Sequence, residues 1–502
     1  MMPLNDDLVV DPLTAFASLP EWLAACMMPD RVEEALRRHV PEIADGQVRL
    51  LSCVPQRLRA KGTRWLARYR LRVDPGRDGG DGDVVLVGNL WPPSAELPDM
   101  GATADRPGVG ELADHPVATD APFGTSGWSC WLPELRLALH VELADEALPA
   151  VPSLVEPDLA ARLIESVLLD AGHGEVRVAS CAPDVVRYKP GSRCTVVARM
   201  TYAEEHADRG LPDPVVLKTH QGDKGNTAWQ AMRALWDTEL SDGKVVTLAE
   251  PLAYRPRERI LVQGPVPGEQ TLKELARTAI ADGSDRALGR LRDELARTAV
   301  ALAALHGCGA TYGRTATFDE ELAEVDEVIA RLAQSVPELR PAARPLLTRM
   351  RQNAGAMPDD PAVCVHHDFR PAQVLLDKGA IGFIDFDGSC MAEPALDLGR
   401  FRAKLRDIGI SVLAASGQPM AGTPLSDNLA LLDDLCEGFL AAYQDHAAVS
   451  RDRVLLWETC DLLTAMLHAW TKVRLARIGP RLTVLTHQLR SARFGDLTSA
   501  GE

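Results

Sequence analysis

The chain repeats itself, and that restricts its folding more than any other feature. Shifted by 128 residues, Pro29–Lys61 aligns with Pro157–Lys189, and ten of the 33 positions are identical. The matches cluster in Val48-Arg49-x-x-Ser52-Cys53-x-Pro55 against Val176-Arg177-x-x-Ser180-Cys181-x-Pro183, followed by Arg59 and Lys61 against Arg187 and Lys189. One residue is then skipped, and Gly62-Thr63-Arg64 meets Gly191-Ser192-Arg193. Farther on, Val84-Val85-Leu86-Val87 parallels Val215-Val216-Leu217-Lys218, so valine stands at 87 where lysine stands at 218. A register held across a helix, a loop and a strand implies two copies of one small α+β unit, at about 20–150 and 151–270. Asp74–Asp83, rich in Gly and Asp, and 92–127, poor in large apolar residues, read as loose insertions, the second a flexible one. Ala203–Pro214 reads as a shorter loop.

At 502 residues the chain has room for two to four domains. Apolar content of 46% and charged content of 25% are ordinary for a globular protein. No apolar run is long enough to span a bilayer, and the start, MMPLNDDLVVDPL, lacks the basic and apolar regions of a signal peptide. The ten cysteines contain no CxxC pair and read as reduced, mostly buried thiols, so a cytoplasmic location is expected. A net charge of −17 argues against a nucleic-acid partner, which needs a basic face, and no membrane partner is expected. The acidity serves solubility and would also suit a cationic small molecule.

The chemistry is concentrated in Val363–Phe401, VCVHHDFRPAQVLLDKGAIGFIDFDGSCMAEPALDLGRF. Asp368 precedes an amide, Gln373, by five residues; an apolar run and a polar turn at Asp377-Lys378-Gly379 follow, then a second run and Asp385 and Asp387. This predicts a β-hairpin with one loop of ligands at each end. Phosphoryl transfer uses such a set: one carboxylate orients a hydroxyl, while an amide and a second carboxylate hold Mg²⁺ against nucleotide phosphates.

The segment resembles the catalytic core of the aminoglycoside phosphotransferase and choline kinase-like family, a branch of the protein-kinase-like fold. The family pattern is His-x-Asp-x-x-x-x-Asn, a strand, then hydrophobic-Asp-x-Asp; here it reads His366, Asp368, Gln373, Ile384, Asp385, Asp387. The resemblance implies that Asp368 is the catalytic base, Asp385 the principal metal ligand and Asp387 a second acid near the metal. His366 would brace the loop, and Asp397 would be the structural Asp after the metal motif. Gln373 replaces the commoner Asn and keeps the amide oxygen on a side chain one methylene longer.

Upstream, Tyr188-Lys189-Pro190-Gly191-Ser192-Arg193 matches the family's phosphate-facing hairpin, where Lys189 and the backbone at Gly191 and Ser192 would meet phosphate oxygens. Lys218 ends a strand and would reach the α- and β-phosphates. The helix after it, expected over Thr227–Glu239, has no central glutamate to pair with that lysine; Gln230 and Glu239 are its only candidates. Trp229, Met232 and Trp236 recur at core spacing. Arg259–Gly268 resembles the hinge, with backbone groups from Gln263 to Val266 on the adenine edge.

The fold expected is α+β, a protein-kinase-like bilobal fold preceded by an extra small-lobe-like α+β domain. The boundaries are 1–150 for the degenerate repeat, 151–270 for the nucleotide lobe and hinge, and 271–502 for a helical catalytic and substrate lobe. Helices are predicted at Leu288–His306, capped by Gly307, and at Asp319–Gln334, Pro341–Asn353, Asp427–His446 and Arg451–Ile478. The family places its acceptor pocket after the metal motif, a region that here contributes Trp457, His468, Trp470, Glu437 and Asp461. The leading functional reading is an ATP- and Mg²⁺-dependent phosphotransferase acting on a hydroxyl of an aminoglycoside, amino-sugar or choline-like acceptor. In it Asp368 and Arg370 are catalytic, Lys218 neutralises phosphate, and Asp385, Gln373 and Asp387 hold metal. The alternatives are a Ser/Thr kinase acting on a peptide in lanthipeptide-type maturation, and a pseudokinase scaffold. Lacking the lysine, residues 1–150 would serve packing, substrate cover or docking of a partner protein.

Overall fold

The structure is a computed structural model that describes residues 7–61, 63–74, 82–97, 128–141, 148–189, 191–415 and 423–491. Most of the two predicted insertions, 75–81 and 98–127, therefore lies outside the described residues.

Two five-stranded antiparallel sheets dominate the first half. In the first, β1 (Arg49–Lys61), β2 (Arg64–Asp74), β3 (Gly82–Leu90), β4 (Ser129–Leu132) and β5 (Leu137–Val141) lie in the order β1-β2-β3-β5-β4. Strict alternation builds it: Trp65, Ala67, Tyr69, Leu71 and Val73 of β2 are buried, while Arg64, Arg68, Arg70 and Arg72 take the other face. The second sheet holds β6 (Val178–Lys189), β7 (Arg193–Tyr202), β8 (Val215–His220), β10 (Pro251–Arg255) and β11 (Ile260–Gln263). Its order, β6-β7-β8-β11-β10, is that of the first sheet, strand for strand.

Each sheet is preceded by a proline-initiated helix, Pro29–His39 or Pro157–Leu168. Both first hairpins carry a bulge at the same repeat position, between Leu50 and Ser52 and between Val178 and Ser180. The ladder corrects one correspondence read from sequence. With Arg64 matched to Arg193, Leu66 corresponds to Thr195; Leu66 pairs with Asn89, whereas Thr195 pairs with Lys218. The residue standing in for the lysine is thus the buried Asn89, two positions beyond Val87 on the same face. Val87 was matched because the apolar runs align best without a gap, and hydrophobic strings do not fix register.

The second half is helical. Capping boxes start Leu272–Asp282, at Thr271 with Glu274, and Phe318–Ala333, at Thr317 with Glu320. The long helix Asp285–Gly307 runs through Gly307, and the left-handed residue beyond it is Gly309, φ +77°, so Gly307 is not the cap expected. The helix expected at Arg451–Ile478 is two helices, Arg451–Thr471 and Leu475–Ser491. The break has neither glycine nor proline, since Val473 itself takes the left-handed conformation at φ +49° with its side chain buried. Burial offsets that strain, and no breaker residue announces it.

Ala395–Ala415 packs closely on Arg451–Thr471 at Gly399, where an added Cβ would lie 2.5 Å from Glu458 N and 2.6 Å from Trp457 Cβ. Gly399→Ala is expected to destabilise by about 1–3 kcal/mol or more through overpacking, measured by chemical denaturation. The N-terminal domain shares its apolar core with the helical lobe, while the second sheet has a core of its own. Trp65 Nε1 donates to Ser335 Oγ at 3.3 Å, and Trp470 Nε1 to Phe16 O at 3.0 Å, fixing that union. Between the lobes lies a small sheet of β9 (Thr247–Leu248), β12 (Gln270–Thr271), β14 (Val374–Asp377) and β15 (Ala380–Phe383), beside the pair β13 (Val363–Val365) and β16 (Cys390–Ala392). Strands β14 and β15 are the predicted hairpin. Among the described residues no helix is long and apolar enough to cross a membrane.

Candidate active site

The β14–β15 hairpin has Gln373 before its first strand and Asp385 and Asp387 after its second, as the spacing implied. Asp385 follows β15 with φ +72°, a left-handed conformation Asp tolerates, which turns the next residues back toward the second sheet. There Lys218 Nζ meets Asp385 Oδ1 at 3.1 Å and Asp387 Oδ1 at 3.2 Å. Gln373 Nε2 donates to Asp385 Oδ2 at 3.0 Å. Residues 218, 373, 385 and 387, distant in sequence, therefore converge.

Two further basic side chains join them that sequence reasoning had not assigned. His220 Nε2 lies 2.8 Å from Asp387 Oδ2, and Arg193 Nη1 lies 3.0 Å from the same oxygen and 3.5 Å from Asp385 Oδ1. A signal was present, since His220 shares a strand face with Lys218 two residues earlier and Arg193 stands directly opposite His220 in the ladder. Burial alone would push the Asp387 carboxyl up, but Lys218 and His220 hold it well below the ordinary carboxylate range. Burial likewise disfavours charge on Lys218, and the two carboxylates more than reverse that. The Lys218–Asp387 ion pair is therefore held at neutral pH, and it weakens as pH falls through the lowered Asp387 value or rises through the raised Lys218 value.

The helix after Lys218 spans Lys224–Trp236 and packs against the Phe386–Gly388 turn. It offers no glutamate; the lysine's partners are the two aspartates.

Asp368 sits on a loop whose shape is fixed from behind. His367 is left-handed at φ +67°, and the fully buried Asp397 accepts from His366 N at 2.7 Å and His367 N at 2.8 Å. His306 Nε2 lies 3.2 Å from Asp397, and its Nδ1 lies 2.8 Å from the Tyr443 hydroxyl. His306, the last residue of the helix predicted over Leu288–His306, is thus a positioning residue for this loop. His366 Nε2 donates to Ile384 O at 2.9 Å, tying the Asp368 loop to the Asp385 loop. Asp368 itself is half-exposed and pairs with Arg370 at 3.0 Å, whose buried Nε has no hydrogen-bond partner.

Other expected residues fall on the cleft margin. Ser192 N donates to Lys189 O at 3.0 Å and Gly191 is left-handed at φ +65°, so the turn is tight; its Pro190 is not described. Gln263 is paired on both sides within the sheet, with Pro251 and Val216, and Gly264 N donates to Glu250 O at 2.8 Å. Pro265 has no N–H, and among the described residues Val266 N–H makes no backbone hydrogen bond. The Val266 side chain lies over β15, where a Cβ on Gly382 would come within 2.4 Å of it.

The residues noted as possible acceptor contacts are mostly structural. Trp457 and Trp470 are buried, Glu437 binds Arg402 at 2.8 Å, and Asp461 binds Arg400 at 3.0 Å and also Lys404. His468 is exposed.

The model of the Phosphotransferase enzyme family matches residues 205–418, which contain Lys218, Asp368, Gln373, Asp385 and Asp387. No curated protein matches the chain. Among solved structures, a glucosamine kinase is 18% identical, with TM-score 0.46, covering 72% of this chain and 87% of that one. A choline kinase from Streptococcus pneumoniae is 14% identical, with TM-score 0.43, covering 66% and 98%. A choline/ethanolamine kinase family protein from Mesorhizobium loti is 16% identical, with TM-score 0.41, covering 62% and 89%.

Proposed function

We propose that this chain, whose residues 205–418 belong to the Phosphotransferase enzyme family, transfers the γ-phosphoryl group of ATP to a hydroxyl of a small molecule. The observation that carries the reading is the meeting of Lys218 with Asp385 and Asp387, beside an amide and tied to the Asp368 loop through His366. The oxygens of Asp385, Asp387 and Gln373 suit a hard cation. Among the described residues no group of three or more His, Cys, Asp or Glu side chains is arranged to hold a metal alone. Mg²⁺ held here would share its coordination with phosphate oxygens, as it ordinarily does with nucleotides, and would neutralise charge on the transferred group.

The chain's own groups then divide the work. Lys218 exchanges part of its carboxylate contact for phosphate oxygens, and Arg193 and His220 keep Asp387 ionised and fixed. Lys189 and the Gly191-Ser192 backbone face the phosphates, and Val266 N–H receives the adenine edge. Asp368 accepts the acceptor's hydroxyl proton, and Arg370, already 3.0 Å from Asp368, adds positive charge beside the departing phosphoryl group. Positioning and electrostatics supply most of the rate.

Transfer of labelled phosphate from ATP to a panel of hydroxylated amines and sugars tests the reading, and no transfer to any alcohol would refute it. Asp385→Ala is expected to remove Mg²⁺-dependent ATP binding; calorimetry showing unchanged binding would sink the metal assignment.

A further inference from the structure

The chain is strongly acidic overall, yet its N-terminal hairpin is the reverse. Strands β1 and β2 carry Arg49, Arg57, Arg59, Lys61, Arg64, Arg68, Arg70 and Arg72 against the single acid Asp74. Ladder pairs place Arg57 with Arg68 and Lys61 with Arg64, on the face opposite the buried Trp65, Ala67 and Tyr69. Arg70 is answered by Asp83 and Arg49 by Asp74, but no carboxylate lies within ion-pair distance of Arg57, Arg59, Lys61 or Arg64 among the described residues. The expectation of no basic face, drawn from net charge, averages away this local one.

The face is covered in part: Arg57, Arg64 and Arg68 are half-buried, whereas Arg59, Lys61, Arg70 and Arg72 are exposed. Strand β1 packs against the helix Arg451–Thr471, which leads into Lys472 and Arg474. Lys189, half-buried at the end of β6, lies within electrostatic reach of Arg57, Arg59, Arg187 and Arg193. Lys472 lies within reach of Lys189, Arg57, Arg474 and Arg481. Enclosure, then these neighbours, push both lysines down to about 8. Arg187, on the face of Lys189, continues the track within reach of Arg193, Asp385, Arg370 and Asp368. Positive charge from three elements thus runs from the N-terminal sheet to the reacting carboxylates.

We propose that the β1–β2 hairpin of the N-terminal domain, with Lys472, binds a phosphate group already present on the acceptor, with Lys189 at its border with the nucleotide phosphates, so that the substrate is an anionic, phosphate-bearing alcohol. This rests on the phosphotransferase reading above and departs from the cationic acceptor that the net charge suggested. The repeat explains the arrangement: Arg59, Lys61 and Arg64 stand where Arg187, Lys189 and Arg193 stand in the nucleotide lobe, while Asn89 replaces Lys218. The copy keeps cations that face an anion and loses the one that would serve a nucleotide. Because the charge converges where Arg57, Lys189 and Lys472 are half-buried, a compact anion suits it better than an extended polyanion.

The test titrates inorganic pyrophosphate by calorimetry into the full chain already saturated with Mg²⁺ and a non-hydrolysable ATP analogue. Pyrophosphate should bind, and the combined Arg57→Ser, Arg59→Ser and Lys472→Gln variant should bind at least about tenfold more weakly, with analogue affinity and melting temperature unchanged. Lys472→Gln alone, the mildest change, should show a smaller loss in the same direction. Affinity should fall as pH rises through 8, when Lys189 and Lys472 lose their protons. Equal affinity in the variants, one-for-one displacement of the analogue, or binding of an acidic peptide or oligonucleotide without pyrophosphate would overturn the proposal. A second arm offers labelled ATP with matched alcohols bearing or lacking a phosphate. Preference for the phosphate-bearing member is expected, and preference for the unphosphorylated one overturns the assignment. Absence of any transfer refutes the phosphotransferase reading, while the pyrophosphate titration still decides the anion site.

Discussion

Asp368→Asn should lower kcat by about 10²- to 10⁴-fold while leaving Mg²⁺·ATP affinity and the melting temperature close to those of the unaltered chain. The side chain is half-exposed, and among the described residues its ion-pair partner is Arg370, at 3.0 Å, so little of the fold depends on it. The amide keeps the shape but is a far poorer proton acceptor, and a hydroxyl would be neither oriented by charge nor deprotonated. Steady-state kinetics with an acceptor found in the transfer screen would measure the loss. Unchanged kcat would remove Asp368 from the reaction.

Asp397→Ala should have the largest effect on stability, a loss of about 3–5 kcal/mol, because its partners would be stranded. The carboxylate is fully buried and accepts from His366 N and His367 N, while His306 closes its third side. Burial alone would raise its pKa, and His306 and His366 instead keep it lowered. Removing it leaves two buried N–H groups and a histidine without their acceptor, and releases a loop in which His367 is held left-handed. The denaturation midpoint should fall, and kcat should fall even below the unfolding transition. A variant of unchanged stability would show that the loop is held by something other than this carboxylate.

The carboxylate half of the site was legible because a short motif carries it. Asp368, Gln373, Asp385 and Asp387 lie within twenty residues, and the Asp-Lys-Gly turn between two apolar runs dictates the hairpin that aligns them. The cationic half was less so. Lys218 was found by its strand position, whereas Arg193 and His220 become partners of Asp387 only through the register that joins β7 to β8. His306 looked like a helix end because nothing in its neighbourhood reveals Asp397 and Tyr443 beyond it.

The helical lobe hid charge in a different way. Arg402 and Arg406, on the helix Ala395–Ala415 that was not predicted from the sequence, are buried and share Glu458 at 2.7 and 2.6 Å. Such pairs look like solvated charges in a sequence, since one-dimensional spacing does not show which helix faces which. The basic surface of β1 and β2 was written plainly in the chain, but a total of −17 conceals a local excess.

The central claim is that Lys218, Gln373, Asp385 and Asp387 form one Mg²⁺·nucleotide site that works with Asp368. Calorimetric titration of ATP into the unaltered chain, Asp385→Ala and Asp368→Asn, each with Mg²⁺ and with EDTA, tests it most directly. The account predicts Mg²⁺-dependent binding in the unaltered chain and in Asp368→Asn, and its loss in Asp385→Ala. ATP binding that is indifferent both to the metal and to Asp385 would contradict it.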